Sequence, residues 1–269
     1  MPHPTWFVSG GVPIPPGGRI FCFSAAGGDP RAFLDWQPSL GADAQIMAVC
    51  LPGRGPRADE PAPRSIAELA DGAAAAISAY TDRPICLFGH SFGALVAFEV
   101  ARRLGGVSPA VHHLVASGCA APSLLPTDYN VWAAANKGRA FLDESARFFE
   151  LPPEFTSADE DVQELLLSDF RTDLVLLAEY SYIRAAPLAL GVTLICGRDD
   201  SYVGSDALEP WGRECETDPD ELWMDGDHFF LEKHPSAVVD VLRYIVRNGP
   251  GPAATAGKDV EDVEDVEVI

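Results

Sequence analysis

The chain has 269 residues, 47% hydrophobic and 22% charged, which is enough for one large α/β domain or a domain carrying an insertion. Its formal net charge of −21 repels phosphate backbones and anionic lipid, arguing against nucleic acid and membrane surfaces as partners. No run of about twenty apolar residues is present, and the N-terminus lacks the basic and apolar segments of a secretory signal.

In chain order, apolar runs at 19–24, 46–51, 84–89, 111–117 and 192–197 read as strands, with a shorter strand at 221–224. Most lack strict alternation, which fits strands covered on both faces. Helical spacing occupies 65–80, where Ser65 is the N-cap and Glu68 completes a capping-box pattern. It returns at 92–104, stopped by Gly105 and Gly106, and at 235–247. Strand alternating with helix predicts a mostly parallel, doubly wound sheet flanked by helices.

The rhythm breaks at 121–186, where only helical pieces are read, at 128–138, 158–167 and 170–186. This block is expected to be a helical lid insertion, packing being the other reading. The core then comprises 1–120 and 187–248. Residues 249–269 are Gly- and Pro-rich, then an acidic repeat; a disordered acidic tail is expected, the other reading being a docking peptide. Cys22, Cys50, Cys86, Cys119, Cys196 and Cys215 form no C-x-x-C pair and no zinc-spaced cluster. Five lie in or beside strand candidates, as small buried hydrophobes do. No metal site is expected, and reduced thiols suggest the cytoplasm.

The chemistry centres on Gly89, His90, Ser91, Phe92 and Gly93. A Gly-x-Ser-x-Gly pattern is weak by itself, and a Gly-rich turn with a capping Ser would also produce it. Here a strand candidate runs directly into the motif and a helix candidate leaves it. That is the nucleophile elbow of an α/β-hydrolase fold, which lifts the serine hydroxyl above the sheet. A serine hydroxyl needs a base. Of six histidines, His228 lies after the last strand candidate, where the chain order Ser, acid, His places it. The acid should lie between them, after the strand at 192–197. Asp199 and Asp200 compete, and the spacing Gly-x-x-Asp favours Asp200. The oxyanion site needs two backbone amides: Phe92, next to the nucleophile, and one from the small-residue loop 24–28, assigned to Ala26.

Several segments together resemble the stand-alone type II thioesterases of polyketide and nonribosomal peptide assembly lines. Phe23, Ser24, Ala25, Ala26, Gly27 and Gly28, with Phe33 and Trp36 following, resemble that family's first loop. Leu51, Pro52, Gly53 and Arg54, with a later Arg57, match a second motif. The elbow with Ala94 matches a third. Phe170, Arg171 and Asp173, then Tyr180 and Tyr182, resemble a fourth, and Gly226, His228, Phe229 and Leu231 a fifth. The likeness spans about 5–247. Ser24 stands where the family usually has Pro, Phe92 where Met is common, and Asp227 where Gly is common. An acid at 227 would be placed to compete for the His228 imidazole, and Phe92 to reshape the acyl pocket.

The resemblance implies hydrolysis of acyl groups from the phosphopantetheine arm of acyl or peptidyl carrier protein domains, in editing or release. No cofactor is implied beyond the arm that carries the substrate. A monomer acting in trans is expected; against a chain-terminating thioesterase that cyclises its product, the sequence carries no attached carrier domain and is read as beginning at its own Met1. A chain-releasing or cyclising thioesterase, a general carboxylesterase and an inactive hydrolase-fold binding protein are the rival readings.

Overall fold

The computed structural model describes residues 6–9, 17–105, 108, 110–136 and 160–249. They contain seven strands: β1 (Phe7–Val8), β2 (Gly18–Phe23), β3 (Ala44–Val49), β4 (Ile85–His90), β5 (Val111–Ser117), β6 (Gly191–Gly197) and β7 (Asp220–Met224). They form one sheet in the order β1-β3-β2-β4-β5-β6-β7. All pairs are parallel except β1 with β3. The six longer strands fall where the apolar runs predict them. β1 is the addition: two residues are too few to show a period, and only its pairing with Val49 and Ala48 defines it.

The α-helices among the described residues are α1 (Gln37–Leu40), α2 (Ile66–Ile77), α3 (Phe92–Leu104), α4 (Asp128–Ala135), α5 (Glu160–Ala178), α6 (Phe230–Lys233) and α7 (Pro235–Asn248). Two apolar clusters cover the two faces of the sheet. One joins Phe21 and Phe23 of β2 to α2 and α3. The other joins Ile20 and Cys22 to Trp36, Leu40 and α7. Alternate residues of one strand thus enter opposite cores, which is why the strands read as apolar runs without a polar face. α3 is buried nearly all round, with Arg102 and Arg103 at its end as its partly exposed positions. All six cysteines are buried and free. Ser65 caps α2 by accepting from the Glu68 amide at 3.1 Å. The capping box is not reciprocal, because Glu68 reaches back to the amide of Arg64.

Between β5 and β6 the described residues hold α4 and α5 and no strand. The helical pieces expected at 158–167 and 170–186 are one helix ending at Ala178. Ser168 does not break it; the Thr172 hydroxyl bonds back to the Ser168 carbonyl at 2.9 Å within the helix. Past Ala178 the chain is not helical, contrary to the sequence reading. Tyr180 and Tyr182, two apart, reach Glu99 at 2.9 Å and Glu214 at 2.6 Å, and the approach to Pro187 favours extended backbone. Residues 137–159, which include part of the expected insertion, and 250–269, the expected acidic tail, lie outside the described residues. No helix among the described residues is long and apolar enough to cross a membrane.

Candidate active site

Parallel strands in close register deliver the loops that follow them to one edge of the sheet. Phe23 pairs with Gly89, His90 with Ser117, Ser117 with Ile195, and Gly197 with Met224. The loops after β2, β4, β5, β6 and β7 therefore leave together at the carboxyl ends, where open α/β sheets build their sites.

Ser91 sits between β4 and α3 with φ 54° and ψ −119°, the one non-glycine residue of positive φ among the described residues. Such a conformation costs of order 1–3 kcal/mol and must be imposed by its surroundings. The flanking glycines show how. A Cβ at Gly89 would stand 2.2 Å from the Gly93 carbonyl oxygen, and one at Gly93 would stand 2.2 Å from that of Phe23. The turn closes only because neither carries a side chain. The Ser91 amide is anchored on the Ser117 carbonyl at 2.8 Å.

His228 follows β7, and its Nδ1 lies 2.8 Å from Asp200 Oδ2. The other carboxylate oxygen, Oδ1, accepts the amides of Tyr202 at 2.8 Å and Val203 at 3.1 Å. The Asp200 carboxylate is thereby fixed, and neither side chain is more than 5% exposed. Of the two adjacent acids, Asp199 is exposed, while Asp200 is buried against the imidazole. Asp227 does not compete. Its oxygens take the Phe229 amide at 2.9 Å and the Lys233 ammonium at 2.6 Å, and that hydrogen bond holds its carboxyl below the usual range.

His90 is turned into the protein, its Nδ1 3.0 Å from the Ser117 hydroxyl and its ring 5.1 Å from that of His228. Burial, with His228 beside it, takes its pKa well below the ordinary imidazole range, so it is a neutral packing partner. Gly118, at φ 56°, lets both rings approach; a Cβ there would meet the Cε1 atoms of His90 at 2.7 Å and His228 at 3.3 Å.

Phe92 opens α3, so its amide belongs to the first turn, where helical amides lack an intrahelical acceptor. Its ring is 1% exposed and buried in the core cluster beneath the elbow. Ala26 is half-buried in the loop after β2, beside the elbow because β2 and β4 are neighbours. A cleft of about 670 Å³ opens along this loop, lined by Ala26, Gly27, His90, Phe170, Phe229 and Leu231 among others.

Two connections from the insertion were not visible in the sequence. Asn130 of α4, fully buried, donates to the Tyr202 hydroxyl at 2.8 Å, and the Tyr202 ring stands 5.3 Å from His228. Asp173 of α5, also fully buried, pairs with Arg54 and accepts the Gly27 amide. Arg54 and Asp173 each stand in a recognisable motif, but 119 residues separate them and neither motif names its partner.

A strained serine on the turn after β4, an acid after β6 and a histidine after β7 define an α/β-hydrolase. Residues 18–246 match the thioesterase domain family model, so the chain belongs to the thioesterase family, hydrolases that act on thioester bonds. It is 28% identical over 242 residues to the gramicidin S biosynthesis protein GrsT of Aneurinibacillus migulanus, covering 88% of this chain and 92% of that one. It is 32% identical over 217 residues to the thioesterase PikA5 of Streptomyces venezuelae, covering 79% and 75%. Among solved structures it is similar to YbtT, a type II thioesterase from the yersiniabactin NRPS/PKS biosynthetic pathway, with TM-score 0.77 and 28% identity over 91% of this chain and 98% of that one.

Proposed function

We propose that this chain hydrolyses acyl groups from the phosphopantetheine arm of acyl or peptidyl carrier domains in polyketide or nonribosomal peptide biosynthesis, acting in trans to edit or release them. The observation that carries the reading is the sealed Asp200–His228 hydrogen bond at the same sheet edge as the strained Ser91. His228 takes the Ser91 proton as the hydroxyl attacks the thioester carbonyl. Asp200 holds the Nδ1–H tautomer and stabilises the imidazolium that forms. The Ala26 and Phe92 amides receive the oxyanion. The protonated His228 then gives its proton to the departing thiol, and water, activated by the same imidazole, releases the acid. These groups supply nucleophile, base and oxyanion site, so the chemistry asks for no metal or cofactor. The arm enters as part of the substrate.

The insertion acts as a lid, its described helices α4 and α5 reaching the loops of this edge through Asn130 and Asp173. The largely apolar cleft beside Ala26 receives part of the arm or its acyl group. Buried free thiols suit a reducing compartment such as the cytoplasm, where the chain would work as a monomer. The test compares turnover of acyl-carrier proteins, over a panel of acyl groups, with turnover of a nitrophenyl ester bearing the same acyl group. Higher kcat/KM on the carrier-bound thioesters supports the proposal, and equal or lower kcat/KM makes a general carboxylesterase the better reading.

A further inference from the structure

Gly27 lies one residue after Ala26, and three contacts converge on it. Its amide donates to Asp173 Oδ2 at 2.8 Å. The same carboxylate is gripped by Arg54, with Nη1 on Oδ2 at 2.7 Å and Nη2 on Oδ1. The backbone of α5 also rests on the glycine. With φ 69° at Gly27, a Cβ there would lie 2.8 Å from Phe170 Cβ and 2.9 Å from Phe170 Cα and N. Phe170 and Asp173, three apart, share the helix face turned to the loop. Within the loop the Gly28 amide closes a turn on the Ala25 carbonyl at 2.9 Å. Ala26 is thus held on one side by its own turn and on the other by a helix of the insertion.

The energetics point the same way. Asp173 is fully buried and the Arg54 side chain is 10% exposed. Burying two charges costs solvation that the pair regains only with good geometry, and an apolar pair of similar volume is often as stable. What an apolar pair would not supply is an acceptor for the Gly27 amide.

We infer that Asp173 is a positioning residue: from the helical insertion it fixes the Gly27 peptide and so the direction of the Ala26 N–H, completing the oxyanion site only while α5 is seated on the loop. The inference rests on Ala26 being an oxyanion donor, as proposed above. It makes the insertion part of the catalytic geometry as well as a cover.

The test removes the buried cation first, so that neither variant leaves it unpaired. In an Arg54→Met background, Asp173→Asn keeps an oxygen for the Gly27 amide and Asp173→Leu does not. Because the amide matters to the transition state, kcat per folded enzyme should be at least about tenfold lower for the Leu variant than for the Asn variant, with KM alike within about twofold. Equal kcat in the two folded variants overturns the inference. If the Leu variant does not fold, hydrogen exchange on the unmodified protein decides. The Gly27 amide should exchange with the same protection as the amides of α5, and exchange about tenfold faster overturns the coupling. Ser91→Ala is assayed alongside. Turnover that survives Ser91→Ala overturns the reading of the site itself, whereas an inactive Ser91→Ala with unaffected Asp173 variants overturns this inference alone.

Discussion

The His228 imidazole stands 2.8 Å from one oxygen of Asp200, while two backbone amides occupy the other. The carboxylate is closed to solvent, so its charge acts on the ring and on the loop that holds it. Asp200→Asn keeps the shape but favours the wrong tautomer. It should lower kcat by roughly three to four orders of magnitude. Asp199→Asn, at the exposed neighbouring position, should leave kcat within about twofold. Steady-state kinetics on a carrier-bound thioester checks both; the reverse ranking would exchange the two assignments.

The elbow is held by close approach. Gly93→Ala would drive a Cβ to 2.2 Å from the Phe23 carbonyl oxygen and 2.4 Å from that of Ser24, backbone atoms at the end of β2 and the start of the loop after it. Displacing that backbone should cost at least about 2–3 kcal/mol of stability and distort Ser91 as well. Urea denaturation reads the first effect, and the kcat of the folded fraction reads the second. A variant of unchanged stability would mean the strand edge yields freely.

Tyr202 connects the insertion to the acid loop. Tyr202→Phe takes the hydroxyl acceptor from Asn130 Nδ2 in a fully buried place, which should cost about 1–3 kcal/mol. Asp200 keeps the backbone amides of residues 202 and 203, so kcat should fall far less than in Asp200→Asn. A fall of similar size would mean that the phenol takes a direct part in holding the site.

Two buried imidazoles make stability depend on pH. Burial lowers His113 to about 4, with His112 adding to it, and takes His90 well below the ordinary range. In the unfolded chain both protonate near pH 6.5. The folded values lie below the unfolded ones, so the unfolded state binds more protons as pH falls. Stability that is full above about pH 6.5 is therefore lost progressively toward about pH 4. For His113 the loss is at most about 3 kcal/mol. Denaturation midpoints measured from pH 7 to 4.5 should decline, and His113→Gln should make the decline shallower. An unaltered slope would show that His113 is not a source of it.

Much of this was legible in the sequence because strands buried on both faces announce themselves as apolar runs, and because the elbow's glycines have one steric purpose each. Ser91 and His228 could be singled out as candidates from chain order and their position after strands, while Asp199 and Asp200 fitted that order equally and only the spacing from Gly197 favoured Asp200. What was hidden depends on pairing across distance. β1 exists only by its partner β3. The helix at Glu160–Ala178 reads as two pieces because polar Ser168 and Asp169 interrupt the apolar pattern, although the backbone runs through them and the Thr172 hydroxyl donates to the Ser168 carbonyl inside the helix. The chain beyond Ala178 looked helical by composition but is tied down by two phenol–carboxylate bonds. Asp227 looked like a rival for His228 until Lys233 and the Phe229 amide were seen to hold it. Nothing local in Arg54, Gly27 or Asp173 reveals that the three meet.

The proposed reaction turns on attack by Ser91 on a carrier-bound thioester. Its most direct measurement is the rate of free acid release from an acylated phosphopantetheinyl carrier protein by the unmodified chain and by Ser91→Ala. The variant, folded and with unchanged stability at neutral pH, should lose turnover by several orders of magnitude. Turnover by Ser91→Ala at the rate of the unmodified chain would contradict it.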